Sequence, residues 1–461
     1  MKEMTLGQVA RFCGGSVAPE YEHVRITGVQ TDSRKIRPGE LFVALKGEKA
    51  DGHDFLSDAA SLGAAAALVS REGVTELPAV LVPDVLRAYG ALAAGYRAML
   101  DIKVIGVTGS VGKTTTKEMV ACLLSRSFRT AKTEANHNNN IGLPMSILAM
   151  PADTQLAVLE MGMNHRGEMS ELTAIARPDI AIITNIGTMH IEHLGSREGI
   201  LQAKLEIMKG LPENGCGIFN GDEPLLWNVR DDGGHKKYYY GIENRACDIL
   251  ASDIQELDDG MRFVVTGFGH RFEIFVPVLG RHTVYNALAA ITAGLLLGVR
   301  PEELQSQLGS FRNTGMRQKI YEQNGFTIIE DCYNAGPEST EAALDVLGGI
   351  RTSGRRIAVL GDMLELGNRS AAEHYRIGRL AAQRAQGLLA YGSNAYRYVI
   401  GAITGGMPQK NALHYQTQEE LAHVLASRAR PGDVILFKGS RGMRMEHALE
   451  LFLKETQKEK K

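Results

Sequence analysis

Four short apolar runs, at residues 24–30, 41–45, 64–69 and 79–82, punctuate the first hundred positions, each bounded by Gly, Pro or Asp. Runs of this length between turn formers predict β-strands, and with the helical stretches among them they predict a small α/β unit. A helical periodicity over 85–99 leads into IKVIGVTGSVGKTTTKEMVACLL, where a continuous apolar run turns through glycines into an amphipathic pattern. That change marks a new domain beginning near residue 100.

Further continuous apolar runs at 156–161, 179–185 and 217–220 alternate with helical patterns and predict a parallel sheet covered on both faces. Between 248 and 279 the pattern changes to two alternating runs flanking a turn at 267–270, which predicts a hairpin at a sheet edge, closed by a helix over 284–297. After RNTGM at 312–316 the alternation resumes with FTIIED (326–331), RIAVLGD (356–362), GLLAYG (387–392) and DVILFKG (433–439), a third open α/β sheet. Ligands of such sheets sit beyond the carboxyl ends of the strands. There the sequence puts Asp331, Asp362 and Lys438, with Ser440 and Arg441. The final KETQKEKK reads as a solvated helix end. The expected domains are 1–99, 100–312 and 313–461.

Composition narrows the classes of function. At roughly 100 to 200 residues per domain, the 461 residues allow two to four domains. The 51 Lys plus Arg and 53 Asp plus Glu give a net charge of −2, which argues against a general electrostatic grip on nucleic acid or anionic membranes and favours a small-molecule partner. The apolar run at 287–299 is too short to span a bilayer. MKEMTLGQVARF lacks the basic start and apolar core of a signal peptide, so cytoplasmic residence is expected. Five scattered cysteines without a CxxC pair suit free thiols. Cys332, beside an acidic pair, is read as a small buried residue without a catalytic role.

The segment TGSVGKTT (108–115) lies between a strand and a helix, where glycines let backbone N–H groups approach phosphate oxygens and the helix N-terminus attracts negative charge. Gly109, Ser110 and Gly112 form the loop, Lys113 is assigned to the β and γ phosphates, Thr114 to magnesium and Thr115 to another phosphate. The general pattern G-x-x-x-x-G-K-[ST] fails at one position, where Val107 replaces the first glycine. Glu160 at the end of LAVLEM could ligate the same ion, and as readily be a solvated strand-end carboxylate. His190, five residues past Asn185, lies on the ligand side of the sheet, where a lone loop histidine usually has no role. Lys204 falls with Ile200 and Met208 at helical spacing, at or beside an apolar stripe. Desolvation there would leave its amine neutral and able to add carbon dioxide, although the stripe alone favours a lysine that snorkels to water.

The order of TGSVGKTT, ANHNNNIGLP (135–144), LEMGM (159–163), TNIGTMHIEHLGS (184–196), QAKLEI (202–207) and GRHTVYNALAA (280–290) resembles the Mur ligase family. The resemblance implies cytoplasmic ATP-dependent amide ligases of peptidoglycan precursor synthesis, and a shortened P-loop that accounts for Val107. It implies three domains: a small N-terminal α/β domain binding the UDP end, a central P-loop parallel-sheet ATPase domain, and a C-terminal Rossmann-like domain binding the amine acceptor. Carried over, it assigns phosphate to Lys113 and Thr115, magnesium to Thr114 and Glu160, and a second magnesium to His190 with a carbamylated Lys204. ATP contacts fall to Asn286, Arg317 and Asp331, the uridine end to Ser33, and the sugar and peptide to Asn138, Asn139 and Arg166.

Within the family, TDSRKIRPGELFVALKGEKADGHDF (31–55), EDCYNAGPEST (330–340), VLGDMLELG (359–367) and KGSRGMRME (438–446) resemble the branch that joins D-alanyl-D-alanine to UDP-N-acetylmuramoyl-tripeptide. Asn334 and Arg441 are the expected contacts of the dipeptide, and a monomer acting on small molecules is expected. Another Mur-type amide ligase would share the central domain without GDMLELG and KGSR. A P-loop ATPase switch would leave His190 and Lys204 unexplained. Two positions depart from the family pattern: Thr283 stands for the first Asn of G-x-H-N-x-x-N, and Gly336 for the second Asn of YNANP.

Overall fold

The computed structural model describes residues 1–313 and 315–458, organised around sheets of four, nine and six strands and a two-stranded ribbon. The four-stranded sheet, ordered Gly28–Gln30, Glu40–Val43, Ala66–Val69 and Ala79–Leu81, is parallel throughout. Alternate residues of its strands face opposite layers. Leu41, Val43 and Leu68 pack with Leu92 and Tyr96 of the helix Val85–Ala98, while Phe42, Ala67 and Val69 pack with Leu56 and Ala59 of a short helix on the other side. The run expected at 24–30 is divided: Arg25–Ile26 pairs with Met4–Thr5, and only Gly28–Gln30 enters the sheet.

In the nine-stranded sheet the P-loop strand Lys103–Thr108 lies between Leu156–Glu160 and Ile180–Ile183, all parallel. The chain leaves this strand toward Thr130–Lys132 on one side and leaves its neighbour Ile180–Ile183 toward Cys216–Asn220 on the other, which opens a crevice at the carboxyl ends. The expected edge hairpin is a three-stranded meander, because Ile249–Leu257 precedes the pair Gly260–Gly267 and His270–Val276 and itself runs parallel to Lys236–Gly241. Over the sheet lies the helix Arg281–Leu296, whose Ala287, Leu288, Ala289, Ala290 and Ile291 are fully buried. This helix is apolar around most of its circumference because it is enclosed by the sheet and by the helix Lys113–Leu124.

The six-stranded sheet is ordered Lys319–Gln323, Phe326–Asp331, Val434–Lys438, Arg356–Gly361, Gly387–Tyr391 and Ala412–Tyr415, antiparallel only in its first pair. Asp331 and Lys438 are register partners at the sheet mouth. The C-terminal helix runs Met445–Lys458 and buries Thr456, so the solvated end begins later than expected; residues 459–461 lie outside the described residues. Thr314, in the expected linker segment, also lies outside them. Among the described residues no helix is long and apolar enough to cross a membrane.

A single apolar core continues from the first sheet into the second domain. Leu41 and Val43 share it with Leu92 and Tyr96 and with Leu143, Ile147 and Leu159. Tyr96 ties the same junction by accepting from Lys2 N and donating to the Met150 carbonyl oxygen at 2.9 Å.

Candidate active site

The P-loop is bound to the end of the neighbouring strand. Ser110 N and Val111 N both donate to Asn185 Oδ1, at 3.1 and 2.9 Å, and Thr184 Oγ1 donates to the Val111 carbonyl oxygen at 2.6 Å. Gly109 has φ +146°, and a Cβ there would lie 1.9 Å from Thr184 Oγ1, so only glycine fits. Val107 is a buried interior residue of its strand, partnered with Ile182 and Glu160. The turn starts two residues later, which removes any need for a glycine at 107.

Lys113 opens the following helix, and its Nζ donates to the Gly109 and Ser110 carbonyl oxygens at 2.8 and 3.3 Å. Burial lowers its pKa, opposed by the Glu160 carboxylate. Thr114 Oγ1 donates to Glu160 Oε2 at 2.8 Å, and Asn138 Nδ2 donates to Glu160 Oε1 at 2.8 Å. Glu160 is only 1% exposed, so it is not the solvated strand-end carboxylate that the sequence also allowed. A hydroxyl and a buried carboxylate fit a hard divalent cation that takes its remaining ligands from phosphates and water. Asn139 instead accepts from Ile141 N and Gly142 N, fixing the start of the next helix. Asn286 accepts from Thr116 Oγ1 at 3.2 Å, and its Oδ1 would lie 2.6 Å from a Cβ on Gly112. Thr283 donates to the Leu279 carbonyl oxygen at 3.1 Å, serving the first turn of its own helix.

The third sheet supplies the opposite wall. Lys438, buried, donates to Asp331 Oδ2 at 2.6 Å and to the Asn334 carbonyl oxygen at 3.0 Å. The Arg317 guanidinium stacks 4.0 Å over the Tyr333 ring. Both walls enclose a cavity of about 500 Å³ lined by Lys113, Thr115, Asn138, His190, Asn286 and Arg317, together with Asp331 and Asn334.

His190 has φ +64°, and its Nδ1 lies 2.7 Å from Glu365 Oε2 across the domain boundary. Lys204 does not snorkel: it is 2% exposed, makes no hydrogen bond or ion pair among the described residues, and its pKa is held well below the ordinary lysine value by burial and then by Lys113. Lys204 is not part of the cavity lining, and neither are Gly109, Ser33, Arg166 or Arg441. Ser33 is buried beyond the first strand of the four-stranded sheet, Arg166 points toward Gly199, and Arg441 is paired with Glu446. Cys332 is buried, donates to the Phe437 carbonyl oxygen, and has its pKa raised by burial, in keeping with no nucleophilic role.

Sequence reasoning missed Glu338, Glu365, Tyr333 and Lys117. Glu338, Tyr333 and Glu365 lie inside segments already singled out, AGPEST, EDCYNAG and GDMLELG, but their partners are distant in sequence. Lys117, in GKTTTK, sits one helical turn after Lys113, on the buried face.

Known families and structures resemble the chain over almost its entire length. Residues 25–99 match the Mur ligase family catalytic domain, 107–294 the Mur ligase middle domain, and 316–441 the Mur ligase glutamate ligase domain. The UDP-N-acetylmuramoyl-tripeptide--D-alanyl-D-alanine ligase of Bacillus subtilis is 41% identical over 98% of both chains. That of Escherichia coli is 35% identical over 97% of this chain and 98% of its own. A crystal structure of MurF from Acinetobacter baumannii superimposes with a TM-score of 0.91 at 32% identity, covering 98% of this chain and 99% of that one. MurF from Thermotoga maritima in complex with ADP gives 0.83 at 31% identity, covering 94% and 98%. With its three-domain α/β fold and its P-loop facing a second sheet across one cavity, the chain belongs to the Mur ligase family.

Proposed function

We propose that this protein is an ATP-dependent ligase that joins D-alanyl-D-alanine to UDP-N-acetylmuramoyl-tripeptide through an acyl phosphate, releasing ADP and phosphate, in cytoplasmic peptidoglycan precursor synthesis. The observation that carries the reading is the shared cavity, where the phosphate-binding loop and the mouth of the third sheet face each other. The relatives at 41% and 35% identity carry that activity in their names. Residues 1–99, with Ser33, are assigned to the uridine end, 100–312 to ATP and 313–461 to the acceptor. A monomer suffices for this scheme.

The donor, with Asn138, Asn139 and Arg166 assigned to its sugar and peptide, presents its terminal carboxylate, which attacks the γ-phosphorus as ADP leaves. Lys113, turned from its loop carbonyls toward the phosphates, offsets the charge on the transferring oxygens. Asn286, Arg317 and Asp331 hold the nucleotide. The neutral dipeptide amine then attacks the acyl carbon, and the tetrahedral intermediate expels phosphate, which carries off the proton lost from the nitrogen. Closure of the third domain excludes water, which would otherwise hydrolyse the activated carboxyl group. Magnesium, held by Thr114 and Glu160, with a second ion on His190 and Lys204, would supply further charge neutralisation at the phosphate oxygens.

Carbamylation of Lys204 is supported by its burial without a partner. The neutral amine adds carbon dioxide and loses a proton, and the resulting anion would be attracted by Lys113, which as a neighbour of an ammonium group is repulsive. Asn334 and Arg441 are assigned to the dipeptide, Arg441 after release from Glu446.

An acceptor panel tests the proposal. With the tripeptide donor, D-alanyl-D-alanine should support ADP formation at far lower concentration than D-alanine, L-lysine or diaminopimelate. A preference for L-lysine or diaminopimelate with a dipeptide donor would replace this activity by that of another Mur ligase.

A further inference from the structure

Three successive residues of the loop after the strand Ile180–Ile183 are each held by a different residue of the third domain. Thr188 donates through N and Oγ1 to Glu338 Oε1, at 2.8 and 3.0 Å. Met189 lies against Gly336, where a Cβ would be 2.7 Å from Met189 Cγ. His190 Nδ1 is 2.7 Å from Glu365 Oε2. Glu338 and Gly336 belong to the start of the helix Pro337–Gly349, and Glu365 to the loop after the strand Arg356–Gly361.

We propose that Glu365 is a positioning residue for His190, and that docking of the third domain on residues 188–190 completes the second metal site. This rests on the reading of His190 as a metal ligand. A carboxylate that accepts from Nδ1–H commits the imidazole to the tautomer with a lone pair on Nε2, the nitrogen that Glu365 does not engage. Orientation matters as much as tautomer. His190 and Glu365 are non-glycine residues with φ of +64° and +61°, a sparsely populated conformation that persists where surrounding contacts over-determine it. Each residue is held there by an element of the other domain.

The segment is joined to its own domain differently. Gly187 N donates to Ser110 Oγ at 2.9 Å, immediately before the held residues. The loop therefore connects the P-loop at one end to the third domain at the other. When the third domain swings away, Thr188 loses its carboxylate acceptor and His190 loses its orienting partner together. The ion and the closed domain then stabilise each other, because each favours the same arrangement of one loop. Docking of the third domain and assembly of the metal site become a single event, which limits formation of the acyl phosphate in an open, water-filled cleft.

The test counts Mn²⁺ bound to the full-length protein with a non-hydrolysable ATP analogue, by electron paramagnetic resonance. The wild type should bind two ions. Glu365→Ala should weaken the second by about tenfold or more, the usual size of a lost outer-shell partner, and leave the first unchanged. Glu365→Gln, whose amide oxygen still accepts from Nδ1–H, should stay close to wild type. Amide hydrogen exchange over 184–195 should accelerate in Glu365→Ala and not in Glu365→Gln. Equal weakening of both ions, or an unaltered second ion in Glu365→Ala while His190→Ala loses it, would overturn the inference alone. Retention of both ions by His190→Ala would overturn the metal reading and this inference with it.

Discussion

Lys117 Nζ lies 3.9 Å from Glu160 Oε2 with both side chains out of contact with water, and it also donates to the Thr133 carbonyl oxygen at 2.6 Å. Glu118 Oε1 is 3.1 Å away on its other side, and Glu118 is in turn paired with Lys132. The carboxylate proposed to hold magnesium is thus backed by a buried lysine at ion-pair distance.

Removing that cation leaves buried carboxylate uncompensated. Lys117→Met should destabilise the protein by about 3–5 kcal/mol, the usual result of breaking a buried pair on one side. Magnesium with ATP should recover more stability in the variant than in wild type. Denaturant unfolding with and without the ligands checks this, and an unchanged midpoint would remove the pair from the account.

Lys113→Ala should keep the fold, because Asn185 and Thr184 still hold the loop when the two bonds from the lysine are lost. Phosphate release with saturating substrates should fall by about 10²–10³-fold, as for other lost transition-state donors. Retention of most activity by a folded variant would refute the nucleotide assignment.

Lys204→Ala should be inactive and partly rescued by formate or acetate, which can occupy the vacated ligand position. Absence of rescue together with an unmodified lysine in crystals grown with bicarbonate would remove the carbamate. The unmodified amine has a second consequence. Its folded pKa lies below the unfolded value, so between the two the unfolded chain binds the proton and stability falls as pH falls. Lys204→Met should flatten that slope in unfolding measured without carbon dioxide.

Gly336→Asn should interfere with closure, since its φ of −143° suits any residue and the obstacle is Met189 alone. The variant should lose kcat/KM for the dipeptide, and Met189→Ala in the same chain should restore part of it. Equal losses in the single and double variants would show that the contact is not the cause.

The continuous apolar runs at 156–160, 180–183, 356–361 and 434–438 were legible because strands buried on both faces need apolar residues at every position. Thr130–Lys132 and Ala412–Tyr415 were not, being short edge strands with half-exposed faces, and Lys236–Gly241 hid behind two lysines and three tyrosines. The stripe holding Lys204 was visible, but how deeply the amine sits depends on what packs over the helix. The P-loop turn was legible from local spacing, whereas that spacing suits Glu160 equally to an ion ligand and to a solvated carboxylate, because burial at a strand end depends on distant elements. Glu338 and Glu365 were not legible, because a carboxylate that acts on a loop 150 or 175 positions away leaves no local pattern.

The apolar core that runs from Leu41 through Tyr96 to Leu159 has a thermal consequence. Two domains that share one core cannot melt separately, whereas the third meets them largely through polar contacts such as Glu338 with Thr188 and Gln318 with His282. Contacts of that kind resemble a transient interface more than a fused one. Heating should therefore divide the molecule once rather than twice. Its acceptor arm should loosen as one cooperative unit, and the two domains assigned to the uridine end and to ATP should persist together to a higher temperature as the other.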